Sequence, residues 1–207
     1  LKAEKSSDSQ RTPSPGDIPL DPVRRRDEFN TVIKYWIEHD RERRTARVRY
    51  LSCLQKGNSY SVDRLIAAAN MFDVLPTEVT PVSGELSDDL SEARSSILST
   101  LKKLPQSQDR DSAISAIARI GKPSLPKKVA YRAKIVTDQI GTAFPDLAYV
   151  LKTAISCRNY FVHGGSDTFD VEAAEPVVPF LTDALEFVFS ASEFIEAGWD
   201  AARWNRE

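Results

Sequence analysis

Apolar residues along most of this chain recur at steps of three and four, the spacing that places side chains on one face of an α-helix. The turn signals and β-branched segments of an all-β protein are missing from Val23 onward. The pattern therefore predicts an all-α protein. The first predicted helix shows the apolar stripe clearly, through Phe29, Val32, Ile33, Trp36 and Ile37.

Caps and breakers divide this pattern into eight predicted helices. Ser87 suits an N-cap, because its hydroxyl oxygen can accept a hydrogen bond from the first turn, and Pro76 closes an earlier helix. The predicted helices cover about residues 24–38, 42–55, 61–74, 88–103, 108–120, 127–141, 146–163 and 173–199. Seven or eight helices with short connections predict a helical bundle.

The first residues of the chain differ in composition from the rest. They are rich in Ser, Pro, Asp and Lys and have almost no large apolar side chains to offset the entropy of ordering. We therefore predict a tail or linker over residues 1–22 and one helical domain over residues 23–207. Because the chain begins with Leu, one interpretation is a longer protein with an N-terminal regulatory domain.

Composition excludes several classes of protein. The net charge of -2 gives no overall nucleic-acid signature, so any attraction for phosphate has to be local. No apolar run reaches the roughly 18 residues needed to cross a bilayer. Cys53 and Cys157 are far apart and lie in helical patterns, which argues against a disulfide or zinc site and favours the cytoplasm. We expect no cofactor and no metal, since the carboxylate clusters and His or Cys spacings of metal sites are missing.

The segment CRNYFVHGG, at the end of the seventh predicted helix, carries the unusual polar residues. Asp146 is expected to cap the start of this helix, and Gly164 suits the left-handed position after its end. Arg158 falls on the apolar face, so its guanidinium must reach solvent or find acceptors. That face also contains Leu147, Leu151, Ala154 and Val162.

Asn159 and His163 are four residues apart and share a neighbouring face of the same helix. His163 lies in the last turn, where the helix end favours imidazolium, and an imidazole can both accept and donate a proton near neutral pH. Arg158 supplies a planar donor fork that suits phosphate oxygens. No Ser or Cys with an orienting acid lies nearby, and Cys157 points elsewhere, so the residues favour phosphoryl chemistry over acyl chemistry.

The residues Arg158 to His163 resemble the RxxxxH motif of the HEPN superfamily, with the polar Asn159 after the arginine. The flanking LAYVLKTAISCRNYFVHGG and the upstream DRLIAAANMFDVLP are similar to the HEPN domain of ApeA-like bacterial anti-phage proteins. The resemblance covers about residues 60–200. It departs from the family at Asn70, where ApeA-like proteins commonly have Glu; Asp73, one turn later, is a possible substitute.

The resemblance implies a HEPN-like helical bundle and a metal-independent endoribonuclease. It implies attack by the ribose 2′-hydroxyl on the adjacent phosphate, with His163 as general acid or base, Arg158 as charge stabiliser and Asn159 orienting either His163 or the substrate. It further implies a homodimer in which both motifs face one cleft. The implied partner is RNA, with transfer RNA as one candidate, and the implied role is anti-phage or toxin-like defence.

Two other interpretations remain open. Some HEPN domains do not cut, so the chain is alternatively a module that binds RNA, a nucleotide or a protein. In the second interpretation both residues are structural: Arg158 bonds to acceptors inside the bundle, and His163 caps the end of its helix. Trp199 and Trp204 are candidates for base stacking or for docking of a terminal helix. Three basic clusters are weaker candidates for RNA contact: Arg24 to Arg26, then Arg41, Arg43, Arg44, Arg47 and Arg49, then Lys127 and Lys128.

Overall fold

The computed structural model describes residues 19–81, 86–164 and 170–204. Most of the predicted tail over residues 1–22 lies outside these ranges. The described residues are helical and contain no strand. The helices are α1 Arg26–Glu38, α2 Asp40–Leu54, α3 Val62–Asp73, α4 Asp88–Lys103, α5 Gln108–Ala118, α6 Leu125–Ile140, α7 Leu147–His163, α8 Val171–Ala174, α9 Val178–Glu196 and α10 Ala201–Trp204.

Eight of these helices have eleven residues or more, which confirms the predicted helical bundle. Helix α9 lies at its centre, with Leu185, Val188 and Phe189 completely buried. Helices α3, α6 and α7 each pack against α9 and against one another, and α2 packs on α3. This arrangement brings the C-terminal parts of α3 and α7 together.

The last predicted helix, over residues 173–199, is not continuous. A 3₁₀ turn over Glu175–Val177 separates α8 from α9, and Pro176 lies in that turn. Proline lacks the N–H group that a continuing helix needs, whereas Pro179 fits the first turn of α9. At the other end, Gly198 has a φ of +103° and its N–H donates to Ile195. With the bond from Trp199 N–H to Phe194 oxygen, this forms a Schellman cap that ends α9 at Glu196.

A buried ion-pair network joins α9 to α2 and α6. Both carboxylate oxygens of Glu193 are used: Oε1 accepts from Arg43 at 2.6 Å and from Arg132 at 3.1 Å, and Oε2 accepts from Arg47 at 3.1 Å. Burial opposes the charge of Arg43, but Glu193 and Glu196 outweigh it and raise the pKa of the guanidinium.

The network corrects one interpretation of the sequence. Arg43 and Arg47 were candidates for RNA contact, but both are buried against Glu193. The exposed Arg44 donates two hydrogen bonds to Asp40. Arg43 and Arg47 therefore belong to a packing surface of α2, because their long side chains reach a glutamate that lies far away in the sequence, whereas Arg41 and Arg49 are exposed.

Helices α4 and α5 form a hairpin at the side of the bundle and pack chiefly on each other. Neither helix contains a buried residue. Ser87 caps α4 as predicted, since its side chain accepts from the N–H of Leu90. None of the helices in the described ranges is both long and apolar enough to span a bilayer.

Candidate functional site

Arg158 is the centre of a polar cluster where α7 meets α3. Its Nη2 donates to Oδ1 of Asn70 at 2.8 Å, and its Nη1 donates to Oδ1 of Asn159 at 3.0 Å. The same Nη1 lies 3.3 Å from Nε2 of His163. The structure thus brings all three predicted site residues together. It adds Asn70 of α3, the residue at which the sequence departs from the resemblance described above.

The end of α7 places His163 at the surface. Gly164 has a φ of +82°, as predicted for the residue that ends this helix, but its ψ of 158° lies outside the left-handed helical region. Its N–H donates to the carbonyl of Tyr160. Asp146 occupies the N-cap position without a side-chain cap bond, so that part of the prediction is wrong. Arg158, Asn159 and Asn70 are half-buried, whereas His163 is exposed.

The contact between Arg158 and His163 has a chemical requirement. A guanidinium has only donors, so Nε2 of His163 must offer a lone pair to accept a hydrogen bond from Nη1. The contact therefore selects a neutral imidazole with its proton on Nδ1. Protonation of Nε2 would break this hydrogen bond and place two cations side by side. In this arrangement Nε2 of His163 is a hydrogen-bond acceptor, and its lone pair becomes free to take a proton when Nη1 of Arg158 turns to another acceptor.

Arg158 differs from the other arginines inside the bundle in the charge of its partners. Arg43, Arg47 and Arg132 share Glu193, and Arg64 pairs with Glu186 at 2.8 Å. Among the described residues, Arg158 contacts only neutral acceptors and no carboxylate within ion-pair distance. Its positive charge is therefore not compensated locally, which is the property expected of an anion-binding group.

Asn70 and Asp73 have different roles in the structure. Asn70 is the partner of Arg158, as described above. Asp73, one turn later, is exposed and contacts Lys128, whose Nζ also donates to the Asp73 carbonyl at 2.7 Å. Asp73 forms no hydrogen bond or ion pair with Arg158 or His163, so it does not replace the missing acid. The Lys128 contact ties α6 to the end of α3.

A groove of about 590 Å³ lies beside the cluster, between α6 and α7. Its walls are mainly apolar, with Lys134 and Lys152 as the charged members. Asn159 belongs both to this groove and to the Arg158 cluster. The remaining lining residues are Pro126, Val129, Ala130, Ala133, Thr137, Ala148, Leu151, Ile155 and Ser156.

The other candidate residues lie outside the cluster. Burial raises the pKa of the Cys157 thiol, which disfavours a thiolate nucleophile. His39, the other histidine of the chain, lies between α1 and α2, stacks on Tyr35 at 4.0 Å and is half-buried. Trp199 is buried and packs against Trp204, so both dock the C-terminal segment. Within the described ranges, no group of three or more His, Cys, Asp or Glu residues is arranged to hold a metal ion.

Comparison with known proteins identifies the family. No curated protein matches the chain, and no solved structure does. A family model described as Apea-like HEPN matches residues 66–203, which is more than half of the chain. The match includes the part of α3 that carries Asn70 and all of α6, α7 and α9. The chain belongs to the Apea-like HEPN family.

Proposed function

We propose that the protein is an endoribonuclease of the HEPN type. The observation that supports this most strongly is the contact between an uncompensated arginine, Arg158, and an exposed imidazole, His163. Phosphoryl transfer to a neighbouring hydroxyl needs a proton acceptor close to a cation that stabilises charge developing on phosphate oxygens. The two side chains have these properties.

In the proposed reaction, neutral His163 takes the proton from a ribose 2′-hydroxyl. The 2′-oxygen then attacks the adjacent phosphorus, and the bond from phosphorus to the 5′-oxygen breaks. The products are a 2′,3′-cyclic phosphate and a 5′-hydroxyl, whose oxygen takes up one proton. Arg158 stabilises the charge on the phosphoryl oxygens, because three of its five N–H groups have neutral partners that an anionic oxygen can replace. No step requires a metal.

A homodimer completes this proposal. The reaction needs a group that accepts a proton and a group that donates one, and the described cluster contains one imidazole. A second copy contributes its own His163 as the donor and its own Arg158 to the same cleft. Exposure of His163 at the end of α7 leaves room for this approach. Transfer RNA is one candidate substrate, and a role in anti-phage or toxin-like defence follows only from the family.

Four purified proteins test the proposal: wild type, His163→Ala, Arg158→Ala and His39→Ala. His39 is the other histidine of the chain, so its variant controls for loss of an imidazole elsewhere. Each protein is incubated with total RNA in EDTA after its folding has been checked by circular dichroism. We expect wild type and His39→Ala to cut, and both site variants to lose at least about a hundredfold in rate.

Two outcomes would reject the enzyme. Equal cleavage by wild type and His163→Ala would assign the activity to a contaminant or to other residues. RNA that wild type binds but leaves intact would favour the non-catalytic HEPN module, with Arg158 as an anion-binding group.

A further inference from the structure

One face of helix α4 is apolar and exposed, although a helix of a monomeric bundle usually turns such a face inward. Leu90 and Ile97 of this helix are 44% and 42% exposed, and Leu104, which directly follows its last residue, is 49% exposed. Ala93 and Thr100, which lie between them, are also exposed. The Thr100 hydroxyl donates to the Ser96 carbonyl at 3.0 Å, so this side chain presents its methyl group without an unsatisfied donor. We call Leu90, Ala93, Ile97, Thr100 and Leu104 the α4 seam.

The α4 seam has the spacing of a coiled coil. Its members are separated by three, four, three and four residues, the a and d positions of a heptad. Large and small side chains alternate along it, so two antiparallel copies can place Leu90 opposite Thr100 and Ile97 opposite Ala93. Helix α5 covers a different flank of α4, where Arg94 donates to the carbonyls of Ile117 and Ala118. The seam therefore remains open after the hairpin has formed.

Charges beside the seam indicate which partner fits it. Asp89, Ser96 and Lys103 follow the open edge at intervals of seven residues. In an antiparallel pair of α4 helices, Asp89 of each copy lies near Lys103 of the other, and the two Ser96 residues meet near the middle. A parallel pair would instead bring this edge of one copy towards the opposite flank of the other, which helix α5 already covers. The edge is thus self-complementary in the antiparallel orientation alone.

We infer that the α4 seam binds the same seam of a second copy of this chain, antiparallel and with two-fold symmetry. The surface lies outside the Arg158 cluster, and the pairing does not depend on nuclease activity. The contact adds to the homodimer proposed around α7, since each contact is self-complementary and uses a different helix. Two helices of sixteen residues bury a modest area, so we expect a weak, concentration-dependent association.

The test measures mass by sedimentation over a concentration series for wild type, Ile97→Asp, Asp89→Lys, Lys103→Asp and the double variant Asp89→Lys/Lys103→Asp. Ile97→Asp buries a charge in the pair and should raise the dissociation constant at least about tenfold. Each single charge reversal creates like-charge contacts at both ends and should also weaken association. The double variant restores opposite charges and should return the constant to near the wild-type value.

The double variant also separates pairing from a simpler effect. Asp89 and Lys103 lie near opposite ends of α4, where they also complement the helix dipole. If the dipole were their only role, the two reversals would destabilise the fold additively and the double variant would show no recovery of association. An unchanged mass in Ile97→Asp, or no recovery in the double variant, overturns the inference. None of the substitutions lies in α7, so any contribution of the α7 contact to the measured mass is the same in all five proteins.

Discussion

Nη2 of Arg158 lies 2.8 Å from Oδ1 of Asn70. The partner of the guanidinium on α3 is therefore a neutral amide, which does not cancel its charge as a carboxylate would. A carboxylate at this position would form an ion pair with Arg158, whereas the Asn70 amide is neutral. Asn70 holds Arg158 through one hydrogen bond and does not neutralise its positive charge. We therefore regard Asn70 as a positioning residue of the proposed site.

Replacing Asn70 by Glu tests this role directly. The new carboxylate should form an ion pair with Arg158 and compete with phosphate, so RNA cleavage should fall by about tenfold or more. Binding of a 2′-O-methyl RNA, which cannot be cut, should weaken and should depend less steeply on salt. Asn70→Gln is the matched control, because it keeps a neutral acceptor. Equal or tighter RNA binding by Asn70→Glu would contradict the charge argument.

A second prediction concerns the buried network around Glu193. Glu193→Ala removes the common partner of Arg43, Arg47 and Arg132 and leaves their charges buried. Loss of one member of such a network costs about 3–5 kcal/mol, so the free energy of unfolding in urea should fall by at least about 3 kcal/mol. Glu38→Gln, at an exposed glutamate outside this network, is the control and should change the free energy of unfolding by less than about 0.5 kcal/mol.

The opposite result would be informative too. If Glu193→Ala unfolds at the same urea concentration as wild type, the prediction is wrong, and the remaining acceptors, such as Glu196 beside Arg43 and Arg132, are enough to compensate the buried charges. In either case, weak RNA binding by an Arg43 or Arg47 variant has to be checked against loss of folding before it is attributed to a phosphate contact.

A third prediction concerns the dependence of stability on pH. Burial raises the pKa of the Cys53 and Cys157 thiols in the folded protein. In alkaline solution the folded state therefore binds more protons than the unfolded state, whose thiols titrate near about 8.5. The stabilising contribution is fully present below this value and is lost as the pH rises through the folded pKa.

Urea unfolding at neutral and alkaline pH measures this effect. The free energy of unfolding should decrease with rising pH, and the decrease should be smaller in a Cys53→Ala/Cys157→Ala double variant, compared with its own value at neutral pH. A thiol reagent at neutral pH should react slowly with folded wild type and rapidly in denaturant. Rapid labelling of the folded protein would show that the thiols are accessible and would contradict the prediction.

The helices of the bundle and the cluster on α7 were predictable from sequence because both depend on local spacing. The steps of three and four define each helix, and Arg158, Asn159 and His163 are close along one helix end. Their mutual contact also needs the reach of the long Arg158 side chain, because helical spacing places Arg158 on a different face from Asn159 and His163. Gly164 marked the end of α7 because few other residues adopt a positive φ.

The features that the sequence did not reveal depend on distant parts of the chain. Glu193 lies in an apolar helix, and its partner Arg43 is 150 positions away. The partnership of Asn70 with Arg158 spans 88 positions and depends on the packing of α3 against α7. The division of the last predicted helix was a local feature, and Pro176 and Gly198 were its available signals.

End-group analysis of the RNA products is the most direct test of the proposed chemistry. Wild-type protein is incubated with a defined RNA in EDTA, and the new ends are examined for phosphate on the 2′- and 3′-oxygens. Proton removal by His163 beside the Arg158 cation predicts 2′,3′-cyclic phosphate and 5′-hydroxyl ends, and no cut at a position that carries a 2′-deoxyribose. Products with 5′-phosphate ends, or cleavage at the deoxyribose position, would contradict attack by the 2′-hydroxyl.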